Sequence, residues 1–161
     1  LYEGTTGIQA LDLLGRKVLM TQGESLKSFT KIVHKFCQAE ADNAALNEFV
    51  APLAELNKEW GELTMQIGMK AMQNRDEVGA ASVDYLMYSG YAVLAYLWAR
   101  MALTAQQKLA SGEGDSAFYE AKLHTARFYF QRLLPRTRTL AVTVQSGAEN
   151  LMDLPETSFS N

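Results

Sequence analysis

Glu3 stands in a stretch, Leu1-Tyr2-Glu3-Gly4-Thr5-Thr6-Gly7-Ile8-Gln9, that sets one carboxylate among two glycines and two hydroxyls just ahead of a helical pattern. Thr5 or Thr6 can cap the helix implied by the apolar positions Ile8, Leu11, Leu14 and Val18, so Glu3 and Gly4 belong to the loop before a helix N-terminus. The ordinary role of an acid there is to partner the helix dipole, worth about 0.3–1 kcal/mol. The chemical role would be proton abstraction. A carboxylate near its free pKa of about 4.3 is a poor base toward a carbon acid, so that role needs a site dry enough to raise it and a donor for the developing oxyanion.

Other residues with chemical potential have simpler uses. His34 and Cys37 lie three apart on a helix, but no second Cys or His stands at ligand spacing, so a surface imidazole and a buried thiol are expected. Met65, Met69 and Met72 resemble a soft ligand stripe, and core gap-filling is the commoner use of Met. Phe118, Tyr119, Phe128, Tyr129 and Phe130 alternate with Lys122, Arg127 and Arg132; core aromatics with a solvated basic face produce that pattern more often than base stacking does. Arg136, Thr137 and Arg138 make a short basic patch that can meet a phosphate or water. No Gly-rich phosphate loop, zinc spacing, Ser-His-Asp set or fixed-period repeat is present. No metal site is expected.

The elements that must position these residues are helices. A first is predicted from about Thr6 to Met20, with Gly23 as a stop, its apolar face turned toward a part of the protein upstream. A second runs from about Glu24 to Ala41. The clearest period is the heptad stripe Leu46, Phe49, Leu53, Leu56, Trp60, Leu63 and Ile67, where Pro52 implies a helix start near Ala51 or a kink. A fourth helix, about Val78 to Ala110, is rich in small residues and nearly all apolar from Tyr85 to Leu103. Arg100 interrupts the ~20 apolar residues that a membrane span needs, so a buried bundle centre is expected, with Arg100 buried and paired to Asp84 or a facing Glu. Ser111-Gly112-Glu113-Gly114-Asp115 reads as a loop whose Asp115 or Ser116 caps a fifth helix. Pro135 ends or kinks that helix, and residues 152–161 read as a tail.

The 161 residues are 48% hydrophobic, which suits one domain with a real core. A net charge of -3, with Lys and Arg scattered singly, shows no footprint for nucleic acid. One cysteine excludes an internal disulfide and favours a reducing cytoplasm.

Tyr2-Glu3-Gly4-Thr5, followed by Gly7-Ile8-Gln9-Ala10-Leu11 and Gly15-Arg16-Lys17, resembles the last catalytic segment of the acyl-CoA dehydrogenase family. The downstream chain resembles the extra helical C-terminal domain of the family's larger members. The resemblance implies a C-terminal fragment of an FAD-dependent enzyme that oxidises an acyl-CoA to the 2,3-enoyl-CoA. Glu3 would be the base for the α-proton, Gly4 would lie beside the substrate, and Thr5, Thr6 and Gly7 would approach FAD. Gly7 stands where many members carry Gln. The expected fold is all-α, an antiparallel bundle of about five helices. Residues 1–22 would end the catalytic helical domain, 23–150 would form the added bundle, and 151–161 the tail. Implied partners are an acyl-CoA substrate, electron-transfer flavoprotein or a similar acceptor, and further copies of the chain in a homo-oligomer. The rival is a non-catalytic helical interaction module in which Glu3 only partners a dipole.

Overall fold

Steps of three and four residues put Leu46, Phe49, Leu53, Leu56, Trp60, Leu63 and Ile67 on one side of a helix, and all seven are buried. The computed structural model describes residues 4–159. In it this stripe occupies a helix spanning Asn47–Gln73, with Leu46 at its N-cap. In chain order, α1 is Thr6–Leu11 and runs on as a π-helical stretch, Asp12–Leu19; α2 is Glu24–Ala39 and α3 is Asn47–Gln73. Next come α4, Asp76–Ser111, and α5, Ser116–Phe128, which continues as a π turn, Tyr129–Leu133. The chain closes with α6, Arg136–Gln145, α7, Glu149–Met152, and a 3₁₀ turn, Glu156–Phe159. No strand occurs among the described residues, so the all-α expectation holds.

α4 is the hub, packing against α1, α3, α5 and α6. Its small residues make that possible: Ala81, Ala92, Ala95, Ala99, Ala102 and Ala105 are buried and let neighbouring axes come close. Tyr85 and Tyr88 fill the space between α4 and α3, both with no exposed surface. Their hydroxyls are satisfied, since Tyr85 and Thr64 share a bond of 2.7 Å and Tyr88 donates to the Glu59 carboxylate at 2.5 Å. An edge-on aromatic group of Phe29, Trp60, Tyr96 and Phe36 joins α2 to the α3–α4 pair. One continuous core extends from Leu14 to Val144.

The loop before α5 is as expected, with Gly112 and Gly114 at φ +68° and +82° and Asp115 accepting from the Ala117 amide at 3.0 Å. At the far end Gly147, φ +80°, lets the chain turn beneath Glu77, which accepts from the Ala148 amide at 3.2 Å, while Lys70 donates to the Gln145 carbonyl at 2.8 Å.

Several expectations need correction. α3 starts at Asn47, five residues before Pro52, so the proline sits inside the helix and leaves the Glu48 carbonyl without its usual donor. The Arg100 side chain is exposed, because a 100° step per residue carries it to the rim of the α4 face turned away from the core. It donates to the Tyr96 hydroxyl at 3.4 Å and stacks 5.8 Å over that ring rather than pairing with Asp84. α4 is not buried all round: Val83, Met87, Leu94, Leu97 and Met101 form an exposed stripe. Nor do the α3 methionines fill the core, since Met65, Met69 and Met72 are exposed and edge an apolar groove of about 860 Å³ against α2.

Candidate functional site

The site expected from the sequence is the approach to α1. Glu3, the expected base, lies outside the described residues. Gly4 to Gln9 are exposed, and among the described residues the first buried side chain is Ala10. Thr5 takes the N-cap position with extended backbone, and its carbonyl accepts from the Gln9 amide at 3.0 Å. Among the described residues its hydroxyl makes no cap bond, and the first turn holds no acidic residue. Among the described residues no side-chain acceptor meets the first-turn amides, and Thr5, Thr6 and Gly7 are exposed.

The two glycines differ. A side chain on Gly7 would meet nothing within 4 Å, so packing among the described residues does not demand glycine there. A Cβ on Gly4 would meet the Gln9 amide nitrogen at 1.7 Å, because the Gln9 side chain folds over it. That neighbour is the tip of a flexible side chain, and Gln9 was not among the residues singled out from the sequence.

Below the loop the helix widens. Bonds from the Met20 amide to the Gly15 carbonyl, 3.0 Å, and from the Gly23 amide to the Val18 carbonyl, 2.8 Å, close i→i+5 turns. Ala10, Leu14 and Val18, at four-residue steps, face the core, while Ile8 and Leu11 on α1 are exposed. The apolar stripe expected to seek a partner is split: its second half is satisfied within this chain. On the outer side Arg16 hydrogen-bonds Asp12 and holds that carboxyl below the usual carboxylate range. Asp12 is thereby disqualified as a general base, which needs a shift upward.

The remaining candidates separate cleanly. Cys37 is buried, and burial pushes its thiol up to about 11, away from nucleophilic use. His34 is exposed. No group of three or more His, Cys, Asp or Glu among the described residues is placed to hold a metal ion. Arg138 shares its groove with Lys58 and with Glu55, Glu59 and Glu62, three carboxylates to two cations, and Arg136 donates to the Tyr91 hydroxyl at 3.4 Å. Of the aromatic run on α5 and the π turn after it, Tyr129 and Phe130 are buried whereas Phe118 and Phe128 are exposed, with Lys122 5.0 Å over the Phe118 ring.

A family described as acetyl-CoA dehydrogenase C-terminal like matches residues 29–155. The chain belongs to that family. It is similar to a broad-specificity linear acyl-CoA dehydrogenase of Mycobacterium tuberculosis, 31% identical over 99% of this chain and 27% of the relative. It is also similar to 3-methylmercaptopropionyl-CoA dehydrogenase of Ruegeria pomeroyi, 34% identical over 83% of this chain and 23% of the relative. A butyryl-CoA dehydrogenase of Syntrophomonas wolfei is 29% identical over 99% of this chain and 26% of its own length. The chain thus spans about a quarter of the curated relatives it matches. The family match covers α3 to α7 and most of α2, and the matches to the Mycobacterium and Syntrophomonas relatives extend over nearly the whole chain. No helix among the described residues is long and apolar enough to cross a membrane.

Proposed function

We propose that this chain is the C-terminal part of an FAD-dependent acyl-CoA dehydrogenase, and that Glu3 is the base that removes the α-proton of the acyl-CoA thioester. The observation that carries the reading is the Tyr2-Glu3-Gly4-Thr5 motif placed immediately before α1, in a chain whose following domain belongs to the matching family. Residues 1–22 continue from a catalytic body upstream, 23–150 form the added bundle, and 151–161 form the tail.

The residues after the motif suit the cofactor. FAD carries many hydrogen-bond acceptors, and the approach to α1 presents amides and two threonine hydroxyls that meet no side-chain acceptor among the described residues. Thr5, Thr6 and Gly7 would hold it, with Gly7 contributing backbone alone. Bound there, FAD supplies the acceptor for the β-hydrogen as hydride. Glu3 receives the α-proton, and Gly4 leaves room for the thioester beside it once Gln9 swings clear. The Asp12–Arg16 pair contributes no second base. Product is the 2,3-enoyl-CoA; the electrons leave to electron-transfer flavoprotein or a similar acceptor. The enzyme works as a homo-oligomer in the reducing cytoplasm. The fragment lacks activity by itself, since the flavin-binding body is not in these residues.

The test is Glu3→Gln in the full-length enzyme, followed by stopped-flow bleaching of oxidised flavin with saturating acyl-CoA. Gln keeps the shape and reach of the side chain but cannot take the proton. FAD content should be unchanged and bleaching should slow at least ~10²-fold, the lower end of what a positioned base contributes. Bleaching at the parental rate would return Glu3 to the role of dipole partner.

A further inference from the structure

We propose that Lys70 and Glu77 form an ionic latch that shuts the C-terminal turn, residues 145–148, against the junction of α3 and α4, and that opening it frees this turn and α7 together while the bundle stays folded. Every part of the latch lies within the described residues, and it stands apart from the catalytic reading.

α6 ends at Gln145 and α7 begins at Glu149, and between them the Gln145 carbonyl and the Ala148 amide have no backbone partner. Side chains take both: Lys70 donates to the Gln145 carbonyl at 2.8 Å, and Glu77 accepts from the Ala148 amide at 3.2 Å. The Lys70 ammonium and the Glu77 carboxylate lie 3.9 Å apart, so one ion pair grips both ends of the turn. Lys70 stands in the last turn of α3 and Glu77 in the first turn of α4, the ends at which each charge is favoured by its own helix dipole. The pair is therefore set by the bundle and not by the turn it holds.

Gly147 fits beneath the pair. Its φ is +80°, and a Cβ there would lie 3.2 and 3.3 Å from the Glu77 carboxylate oxygens and 3.4 Å from Lys70 Nζ, so glycine brings the backbone close enough for both bonds to form. Gly147 and Ala148 are buried under the two side chains. What lies on either side decides what moves. Upstream, Thr137, Ala141 and Val144 anchor α6 in the bundle; downstream, α7 buries no side chain. Opening the turn thus uncovers little apolar surface, which places it at the low-stability end of the fold and makes the latch the main barrier to its release.

Amide hydrogen exchange in the full-length protein, read by mass spectrometry on peptides covering 145–152, tests the latch. Glu77→Ala should speed exchange there at least ~10-fold, the scale set by losing one charge-assisted bond, with residues 56–67 and 85–99 unchanged. Lys70→Met should do the same, and the double variant should exchange no faster than the faster single, because either loss opens the same latch. Glu77→Gln keeps an acceptor for the Ala148 amide but not the charge, so its rate should fall between the parent and Glu77→Ala. Parental exchange in Glu77→Ala would overturn the latch. Additive effects of the two single variants would overturn it as one device and leave two independent bonds, and faster exchange throughout 56–67 and 85–99 would make the pair a support of the bundle instead. Flavin bleaching in Glu3→Gln is silent on this turn, so either reading can fail without the other.

Discussion

Single residues show how far local sequence context decides environment. Arg100 has Tyr96, Leu97, Met101 and Leu103 around it in sequence, which argues for burial, yet on the helix Leu97 and Met101 belong to the exposed stripe and draw it outward. Its guanidinium rests on Tyr96, so Arg100→Ala should cost no more than about 1 kcal/mol in urea unfolding, the scale of an exposed cation–π contact. A loss of 3–5 kcal/mol would signal a buried pair. Cys37 behaves oppositely, as a small hydrophobe in the core. With its thiol raised from 9.0 to about 11 by burial, the thiolate fraction at pH 8 should be ~10²-fold below that of the unfolded chain, and reaction with a disulfide reagent correspondingly slow. A folded pKa above the unfolded one contributes stability that is fully present below about pH 9 and is lost as pH rises through about 11. Tyr85, Tyr88 and Tyr129 are raised in the same direction by burial, so stability by circular dichroism should fall on the alkaline side. A thiol that reacts at the free rate in the native protein would contradict the burial.

At the scale of elements, the heptad stripe of α3 was legible because its period is that of an α-helix and every position in it is buried. The first helix was less so: steps of three and four admit two faces, Ile8-Leu11-Leu14-Val18 and Ala10-Leu14-Val18, and only what stands opposite decides which is covered. Leu14 has no exposed surface and Leu11 is about half exposed. Leu14→Ala should therefore cost about 2–5 kcal/mol and Leu11→Ala under about 1 kcal/mol in the same assay. Equal losses would put Leu11 in the covered face with Leu14. On α4 the small residues carry the packing, so Ala95→Leu should destabilise by about 1–3 kcal/mol through overpacking although it adds apolar area. A stabilised Ala95→Leu protein would mean that α4 does not sit tightly among its neighbours.

For the whole molecule, the core is continuous from Leu14 on the π stretch to Val144 on α6, with α4 touching four of the other helices. Urea unfolding followed by tryptophan fluorescence and by far-UV circular dichroism should give coincident transitions, with amides at 14–18 protected along with α3 and α4. Early exchange at 14–18 would detach that stretch from the bundle. The sequence by itself determined that the chain is helical, where α2 to α5 lie to within a few residues, and that a single carboxylate precedes α1, because apolar period, capping residues and glycine turns are local properties. It also carried the motif by which Glu3, Gly4, Thr5, Thr6 and Gly7 were singled out. Only the tertiary structure decided which faces are covered. Met65, Met69 and Met72 remain exposed, Asp12 is claimed by Arg16, and α4 turns an apolar seam to solvent although its sequence reads as apolar all round. The physical reason is that burial depends on what stands opposite a side chain, and what stands opposite α4 is set by contacts many residues apart in the chain, which no window along the sequence contains.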